Sequence, residues 1–568
     1  MTALEPLNSS LFSGAYDQVL ARTAARYSAE EAPFVIGALA LSGRLDEAES
    51  AFERLQSSTP ELEALLAARF FLVAGSSHAG RSSRAFRLAN DSLAFVRDSD
   101  PRRRFWACQG FAVVRYFAGR FRLAGRFAKR ALQAAVHADF PYARFLALDL
   151  SAHVALQTGS VFAGMRLLSQ ARDLALALGW NDNAATLQTS ASVYQLRLLT
   201  SDIDQAVEEV ERRVAAPTVS YFTRRNAFIE LACMRALRGD APRALETLDA
   251  ARRIALPGGD ARGKTRWLAA HATCLALSRG GELARPSLEE ARAVAGEQLT
   301  LAAEVGFVAL AFVGGATPGE LRDYERIHRL TGIQRMRVAL DVASGTTELY
   351  APGIEDGVCR VLLECLALAP AERVARVVRA GLLGLVPHAL GRDPGKRIVL
   401  LLDSIVTENQ GVVSARPLPS RPSLKLLQEL ARGYCSRSDL VSAVWGIGRY
   451  NPSRHTPVIH TAVSRLRLAL GEPDWIVTHP DGYALAEGVE LVAGEVQSAP
   501  SALPPAASPD ERERVLAYVG SEGPVSSAEV AKALGLSSST ALRLLRKLSQ
   551  EGLLARQGGG RSTRYARA

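Results

Sequence analysis

The segment from Pro457 to Gly471 combines hydroxyl and basic side chains with a regular apolar pattern. Its apolar residues recur at helical spacing and would form one buried stripe, namely Ile459, Val463, Leu466 and Leu470. On the opposite side lie side chains that can hydrogen-bond to base edges, namely Thr461, Ser464 and Arg465. Basic side chains in or near the segment can contact phosphate, namely Arg454, His460, Arg467 and His479. This chemistry suits nucleic-acid recognition rather than catalysis.

A second segment of this kind, Ser538–Glu551, lies near the C-terminus. Its buried stripe would consist of Ala541, Leu544, Leu545 and Leu548. The candidates for base contact are Ser539, Thr540 and Arg543. The candidates for phosphate contact are Arg546, Lys547, Arg561 and Arg564. From Ala541 onward, seven basic residues stand against one acidic residue, an excess that favours a polyanionic partner.

The stretch Gly258–Thr265 matches the phosphate-loop pattern G-x-x-x-x-G-K-[ST]. A phosphate loop needs a buried strand before it and a helix after it. Here the preceding residues continue a helix that begins near Ala241 and is stopped by Pro257. No apolar strand ending in Asp follows to hold magnesium. We therefore expect a loop between helix pairs and no nucleotide binding.

The six cysteines are scattered, without a Cys-x-x-Cys pair, and no histidines cluster at zinc spacing. We expect buried free thiols, no metal, no cofactor and no enzymatic activity. Hydrophobic residues at 48% and charged residues at 22% are ordinary for a globular chain. The net charge of +10 favours a polyanionic partner.

Targeting signals are not apparent in the sequence. Met1–Tyr16 lacks the charged and apolar regions of a signal peptide. The longest apolar run, around Val305–Ala316, is too short to span a bilayer. We expect a cytoplasmic, nucleoid-associated protein with no membrane partner.

The elements that would position the first basic segment surround it in the sequence. Two shorter helices are predicted before it, over 423–430 and Ser436–Trp445. A hairpin over 475–485, turning at Asp481-Gly482, is predicted after it. Three helices followed by a β-wing form a winged helix-turn-helix, whose third helix can enter a major groove.

This region resembles the effector domain of OmpR/PhoB-type response regulators over about 397–487. The resemblance rests on Ser-Asp-Leu-Val…Val-Trp-Gly at 438–446, Val-Ser-Arg-Leu-Arg…Leu at 463–470 and Asp-Gly-Tyr at 481–483. It implies DNA binding and a small antiparallel sheet before the helices. That sheet fits strands predicted over Ile398–Asp403, Ile405–Glu408 and Val412–Pro417. His479 and Leu468 depart from the family, which often has a basic residue at each position, so we expect weaker phosphate contact.

The second basic segment has comparable neighbours. A helix is predicted over Asp510–Gly520, a capping box over Ser526–Glu529 opens the next helix, and Leu553–Arg567 reads as a wing with a glycine tip. Residues 509–568 resemble MarR/IclR-like winged helices, whose wings often carry a similar Gly-Arg-Ser-x-x-Tyr pattern. Ser498–Pro509, rich in Ala, Ser and Pro, is predicted to be a linker.

The first part of the chain has an internal repeat of about 40 residues. Predicted turns recur at Gly43, Gly80, Gly119, Gly159, Ser201, Gly239 and Gly281. A small residue follows each of the first six turns after five positions, namely Ala48, Ala85, Ala124, Gly164, Ala206 and Ala244. The stretches 40–52 and 115–128 are similar to tetratricopeptide repeats (TPR). The similarity implies stacked helix pairs with a concave groove for a peptide, a partner helix or a small effector.

The joint between these regions is less distinctive. Arg335–Asp341 and Thr346–Tyr350 are predicted to form a β-hairpin, followed by helices over Gly357–Leu368 and Ala371–Leu390. This joint fits a coupling domain or a degenerate copy of a winged helix, and both interpretations stay open.

The predicted fold is mainly α. It comprises a TPR-like α-solenoid (1–334), a coupling region (335–395), an OmpR/PhoB-like winged helix (396–494), an Ala/Ser/Pro linker (495–509) and a second winged helix (510–568). We predict a bacterial transcriptional regulator that binds double-stranded DNA and responds to a protein or small-molecule effector in the solenoid groove. A homodimer stays open. The alternatives are a scaffold whose winged helices bind proteins and an NTPase switch that rests on 258–265 alone.

Overall fold

The computed structural model describes residues 7, 10–11, 16–23, 27–58, 60–199, 203–215, 221–254, 261–296, 298–346, 351–401, 404–493, 515–516, 518–519, 523–534, 536, 538–551, 553–558 and 563–567. The chain separates into two compact units, residues 1–495 and 496–568. Within the described parts the fold is mainly helical with small sheets towards the C-terminus, which confirms the mainly α prediction. None of the described helices combines the length and apolar character that a membrane crossing needs. The predicted linker lies outside the described residues.

The first unit begins with consecutive helices that pack in pairs. Their bounds are α1 Tyr16–Thr23, α2 Ala32–Leu41, α3 Leu45–Ser57, α4 Leu62–His78, α5 Ser82–Asn90, α6 Pro101–Phe117, α7 Phe121–His137, α8 Pro141–Gln157, α9 Val161–Ala177, α10 Asn181–Leu198, α11 Ile203–Val214, α12 Tyr221–Leu237, α13 Ala241–Arg253, α14 Ala261–Arg279, α15 Gly281–Ala295, α16 Leu299–Val308 and α17 Pro318–Thr331. We call this part, up to Thr331, the helical region. Its first helices also pack against one another, α2 on α4 and α4 on α6.

The turns between paired helices fall where the repeat predicts them. The glycines in these turns have positive φ, a conformation that favours glycine, namely Gly43, Gly80, Gly119, Gly159 and Gly239. The last predicted turn, at Gly281, lies one residue earlier, at Gly280. The predicted turn at Ser201 is outside the described residues. At Gly164 a Cβ would lie 2.5 Å from Leu156 Cγ, so a small residue is needed for the close approach of α9 to α8.

The β-hairpin predicted at the joint is wrong, because residues 334–344 form a helix. The elements here are α18 Gln334–Ser344, α19 Gly357–Leu366, α20 Pro370–Arg379 and α21 Val386–Leu390. Met336, Ala339 and Leu340 are buried at helical spacing, and Gly345 ends the helix in the left-handed conformation. The Ser-Gly pair that suggested a hairpin turn is therefore a helix end. Residues 347–350, the other predicted strand, lie outside the described residues.

The single helix predicted over Ala371–Leu390 is instead two helices, α20 and α21. Gly381 has a φ of +70° and ends the first of them. At Gly384 a Cβ would lie 2.0 Å from the carbonyl oxygen of Ala236. Residues 383–385 therefore pass against the C-terminal turn of α12 as a short 3-10 turn.

A four-stranded sheet follows, with strand order β3-β2-β1-β7. Its strands are β1 Lys396–Leu400, β2 Ser404–Asn409, β3 Val412–Pro417 and β7 Val489–Ala493. The first three pair antiparallel, as predicted, whereas β7 pairs parallel to β1 with Lys396 opposite Val489. The sequence analysis did not anticipate β7.

Between β3 and β7 lie three helices and a wing. Their bounds are α22 Arg421–Leu430, β4 Cys435–Ser436, α23 Arg437–Trp445, α24 Pro452–Leu470, β5 Ile476–His479 and β6 Gly482–Leu485. The predicted helices and hairpin are therefore present. The third helix starts five residues earlier than predicted, because Asn451 caps the Ser453 amide and Pro452 occupies its first turn. β4 adds a short third strand to the hairpin.

The second unit has its own small core. Its elements are α25 Ser527–Leu534, α26 Ser538–Gln550, β8 Leu554–Gln557 and β9 Arg564–Arg567. The predicted capping box is present, since Glu529 Oε2 accepts from the Ser526 amide at 2.7 Å. Val515, Val519 and Tyr565 are buried with the apolar face of α26. The rest of the helix predicted over 510–520 and the tip of the wing lie outside the described residues.

Candidate nucleic-acid interface

Helix α24 is anchored through one apolar face. Ile459, Val463 and Leu466 are buried in a core shared with α22, α23 and the wing. The sheet holds the C-terminal end of α24, because Arg416 Nη1 donates to the Leu468 carbonyl at 2.8 Å and Thr407 Oγ1 donates to the Leu470 carbonyl at 3.3 Å. These bonds satisfy carbonyls that a helix end leaves unpaired.

The opposite face of α24 is open to solvent. The predicted residues exposed there are Arg454, His460, Thr461, Ser464 and Arg465. Thr461 Oγ1 donates to the Pro457 carbonyl at 2.9 Å, which leaves its oxygen able to accept another hydrogen bond. The face also carries two exposed apolar side chains, Val458 and Leu468, and Leu468 is 79% exposed. The face is therefore polar and basic with apolar patches.

Arg467 has partners within the protein. Its Nη2 donates to the Ile476 carbonyl and, at 2.9 Å, to Thr478 Oγ1. Both acceptors belong to β5, so Arg467 ties α24 to the wing. Its predicted contact with phosphate stays a prediction, and the structure adds this bracing role.

Aromatic rings join the wing to the rest of the domain, and one such contact is between His460 of α24 and Tyr483 of β6, with centroids 6.3 Å apart. The rings of His479 and Tyr434 meet edge to face, with centroids 5.4 Å apart. At Gly482 a Cβ would lie 2.2 Å from the Cys435 carbonyl oxygen, so glycine is needed where β6 pairs with β4. His479 is half-buried on this wing. One side of its ring is therefore engaged within the wing.

In the second unit, α26 buries Ala541, Leu545 and Leu548. Arg543, Arg546 and Lys547 are exposed on it, and Thr540 is partly buried. For Ser539 only the helical backbone is described. Arg561 lies outside the described residues, so its predicted role has no structural counterpart here.

Arg564 is exposed but engaged. Its Nη1 donates to the Pro524 carbonyl at 2.7 Å, and its Nη2 lies 3.4 Å from Glu529 Oε1. The amide of Ser526 is the main cause that lowers the pKa of Glu529, and the Arg564 charge adds to it. Arg564 therefore links β9 to the start of α25.

Arg449 and Arg556 are among the exposed basic residues that were not predicted as site residues. Arg449 lies in the turn between α23 and α24, and Arg556 lies on β8. The signal for Arg556 was its place beside the glycine tip of a predicted wing. Arg449 gave no periodic signal, because it belongs to neither helix.

The phosphate-loop match lacks the neighbours that such a loop requires. Residues 255–260 lie outside the described residues, and the element before them is helix α13. Lys264 lies on α14, where it pairs with Glu290 at 2.8 Å. In a phosphate loop the lysine instead reaches the phosphates that the loop holds.

Comparison with known proteins bears on the C-terminal unit. No curated protein matches the chain. The OmpR/PhoB and TPR resemblances stay predictions. Residues 514–558 match the IclR helix-turn-helix domain, which indicates a winged helix of the MarR/IclR kind and a DNA-binding transcriptional regulator.

Proposed function

We propose that this protein is a transcriptional regulator that reads a specific duplex sequence through both α24 and α26. The observation that carries the proposal is the exposed polar and basic face of α24, opposite a fully buried apolar stripe. A helix anchored in this way can lie in a major groove without losing its own core.

The candidate residues fall into two groups, those assigned to bases and those assigned to phosphates. On α24 we assign base-edge contacts to Thr461, Ser464 and Arg465, and phosphate contacts to Arg454 and His460. On α26 we assign base contacts to Thr540 and Arg543, and phosphate contacts to Arg546 and Lys547. Phosphate contacts fix the register of the protein, and base contacts supply specificity.

We further infer that the helical region controls DNA binding by receiving an effector. Support comes from the sheet that lies between the helical region and α24. Val399 and Val406 are buried with the helical region, whereas Ile398 and Ile405 are buried with α24. A change in packing within the helical region would therefore shift the sheet, and with it α24.

The test is selection of bound fragments from random duplex DNA, followed by fluorescence anisotropy of the enriched sequence at two salt concentrations. We expect a preference over scrambled DNA and affinity that falls steeply with salt. If no sequence is enriched and the affinity does not depend on salt, the regulator proposal is wrong.

A second candidate function is a scaffold whose winged helix binds protein. The observation that favours it is Leu468, which is 79% exposed at the end of the α24 face. Protein interfaces favour apolar centres, whereas DNA favours charge. Leu468→Lys separates the two, because it would strengthen binding to DNA and weaken binding to an apolar protein surface.

A further inference from the structure

A cavity of about 490 Å³ is lined mainly by the helical region. The helices that line it include α2, α4, α6, α8, α10, α12, α14 and α16, which are the first helices of successive pairs. Among the described residues, none of the paired second helices, such as α7, α9 or α13, contributes a lining residue. A volume of this size is typical of sites for a single small molecule.

The cavity lining is rich in aromatic side chains. Its phenylalanines are Phe70, Phe71, Phe117, Phe145, Phe307 and Phe312. Phe70 and Phe71 are buried, and they also line the cavity. Aromatic walls favour a flat, apolar ring system, which can stack or meet them edge to face.

The lining also carries charged side chains that pair with one another. Glu230 accepts from Arg266 Nη2 at 2.6 Å and from Arg197 Nε at 3.2 Å, and Arg266 also pairs with Glu304 at 3.3 Å. Burial alone would raise the pKa of Glu230, but the charges of Arg197 and Arg266 outweigh it and lower the pKa to about 2. These groups satisfy one another, so they shape the cavity without requiring a ligand.

Two amide side chains on the lining are not satisfied. Asn183 is 2% exposed, and neither its Nδ2 nor its Oδ1 has a partner within the described part of the chain. Gln109 donates to the Leu146 carbonyl at 3.1 Å, but its Oε1 also lacks a partner there. Buried amides of this kind are normally hydrogen-bonded. These amides give the lining groups that can hydrogen-bond to water or to a polar ligand.

The lining also includes the guanidinium of Arg262, which can pair with an anion. The guanidinium of Arg262 lies over the Phe117 ring, with Cζ 4.9 Å from the centroid. Its neighbours Lys264 and Arg266 pair with Glu290 and Glu230. In the described part of the chain, Arg262 has no carboxylate partner, and its buried Nε has no acceptor. A ligand anion would complete this site.

We infer that the cavity binds a small aromatic carboxylate, whose ring lies against the phenylalanines and whose anion pairs with Arg262. This inference rests on the proposed function only in that such a molecule would be the effector. A volume of about 490 Å³ suits a molecule of this size rather than an extended peptide.

The test measures binding to the full chain without DNA. Isothermal titration uses four probes, namely 1-naphthoate, 2-naphthoate, indole-3-acetate and cinnamate, with 2-naphthamide as the uncharged analogue. We expect at least one carboxylate to bind with one-to-one stoichiometry, and at least tenfold tighter than the amide. Arg262→Gln should abolish that preference, and Arg262→Lys should restore part of it.

The matched control is Arg122→Gln, an exposed arginine on the second helix of a pair, which should bind the probes as the native protein does. Circular dichroism of each variant separates lost binding from lost folding. The inference is overturned if none of the four carboxylates binds, or if a folded Arg262→Gln variant keeps the preference. Binding that leaves DNA affinity unchanged would instead overturn the proposed control of DNA binding and leave the cavity assignment intact.

Discussion

Ile398 and Val399 are neighbours on β1, yet their side chains are buried in different hydrophobic cores. Ile398 lies in the core of α22, α23, α24 and the wing, and Val399 lies in the core of the helical region. Alternate side chains of a strand point to opposite faces, so one strand can serve both cores. The sheet is therefore a shared wall rather than the edge of either part.

Direct bonds reinforce this wall on both faces. The amide of Val413 donates to the Gly239 carbonyl at 2.8 Å, which joins β3 to a turn of the helical region. On the other face, Arg416 holds the Leu468 carbonyl of α24. A continuous chain of contacts thus runs from the helical region to the proposed recognition helix.

Matched alanine substitutions test the shared wall. Ile398→Ala should cost about 2–5 kcal/mol and reduce amide protection in α22–α24. Val399→Ala should cost about 2 kcal/mol and reduce protection in residues 383–390 and at the turn around Gly239. Hydrogen exchange with mass spectrometry measures both. Identical protection maps for the two variants would contradict the assignment of their side chains to separate cores.

Arg465→Ala should weaken binding to the selected DNA sequence by about 1–3 kcal/mol and relax specificity at one base position. The reason is that Arg465 is exposed on the face of α24 opposite its buried stripe. Anisotropy titration against single-base variants of the site measures both effects. Arg122→Ala, on a distant helix, is the control and should change neither. An unchanged base preference would show that another residue reads the duplex.

Arg467→Ala and Arg454→Ala should differ in their effects on stability, although both remove a basic residue from α24. The first loses the hydrogen bonds to Ile476 and Thr478, so we expect a loss of about 2 kcal/mol in stability and a lower melting midpoint. The second removes an exposed charge, so it should keep the midpoint and reduce the salt dependence of DNA binding by about one unit of slope. An unchanged midpoint for Arg467→Ala would mean that it does not brace the wing.

Local pattern predicted much of the fold. The buried stripe Ile459–Leu470, the wing turn at Asp481-Gly482 and the capping box at Ser526 all follow from spacing and turn chemistry. These features depend on residues a few positions apart. Where local signals competed, the prediction failed, as at Ser344-Gly345, where the same pair suits a hairpin turn and a helix end.

Features that depend on long-range contact could not be predicted. β7 is defined by pairing with β1, some ninety residues earlier in the chain, and its own pattern is short. The engagement of Arg467 by β5 and of Arg564 by Glu529 likewise depends on how the elements meet. The cavity residues come from helices spread along most of the helical region, so no local motif marks them.

In the second unit, Arg546→Ala and Arg564→Ala form a comparable pair. Arg564 is tied to Pro524 and Glu529, and because this pair is exposed, its loss should cost under about 1 kcal/mol of stability. Arg546 is exposed on α26 and should affect only DNA affinity and its salt slope. Thermal melts and anisotropy on the full chain measure both. Equal salt slopes for native protein and Arg546→Ala would remove Arg546 from the interface.

Glu230 links the pH dependence of stability to the cavity wall. Its pKa in the folded protein is about 2, below the ordinary value of 4.5, despite burial, because Arg197 and Arg266 stabilise the carboxylate. A lowered carboxyl pKa adds stability above the unfolded value, and this contribution is lost as the pH falls through the folded value. The shift corresponds to about 3 kcal/mol, present above pH 5 and lost towards pH 2.

Glu230→Gln should therefore destabilise the protein by about 3–5 kcal/mol at pH 7, because two buried arginines lose their partner. Its deficit relative to the native protein should shrink by about 3 kcal/mol between pH 5 and pH 2. Thermal melts followed by circular dichroism at pH 7, 5, 4, 3 and 2 measure the difference. Glu282→Gln is the matched control, since that carboxylate is 86% exposed and its replacement should change the stability little. A constant deficit for Glu230→Gln at every pH would show that Glu230 is not held ionised by Arg197 and Arg266.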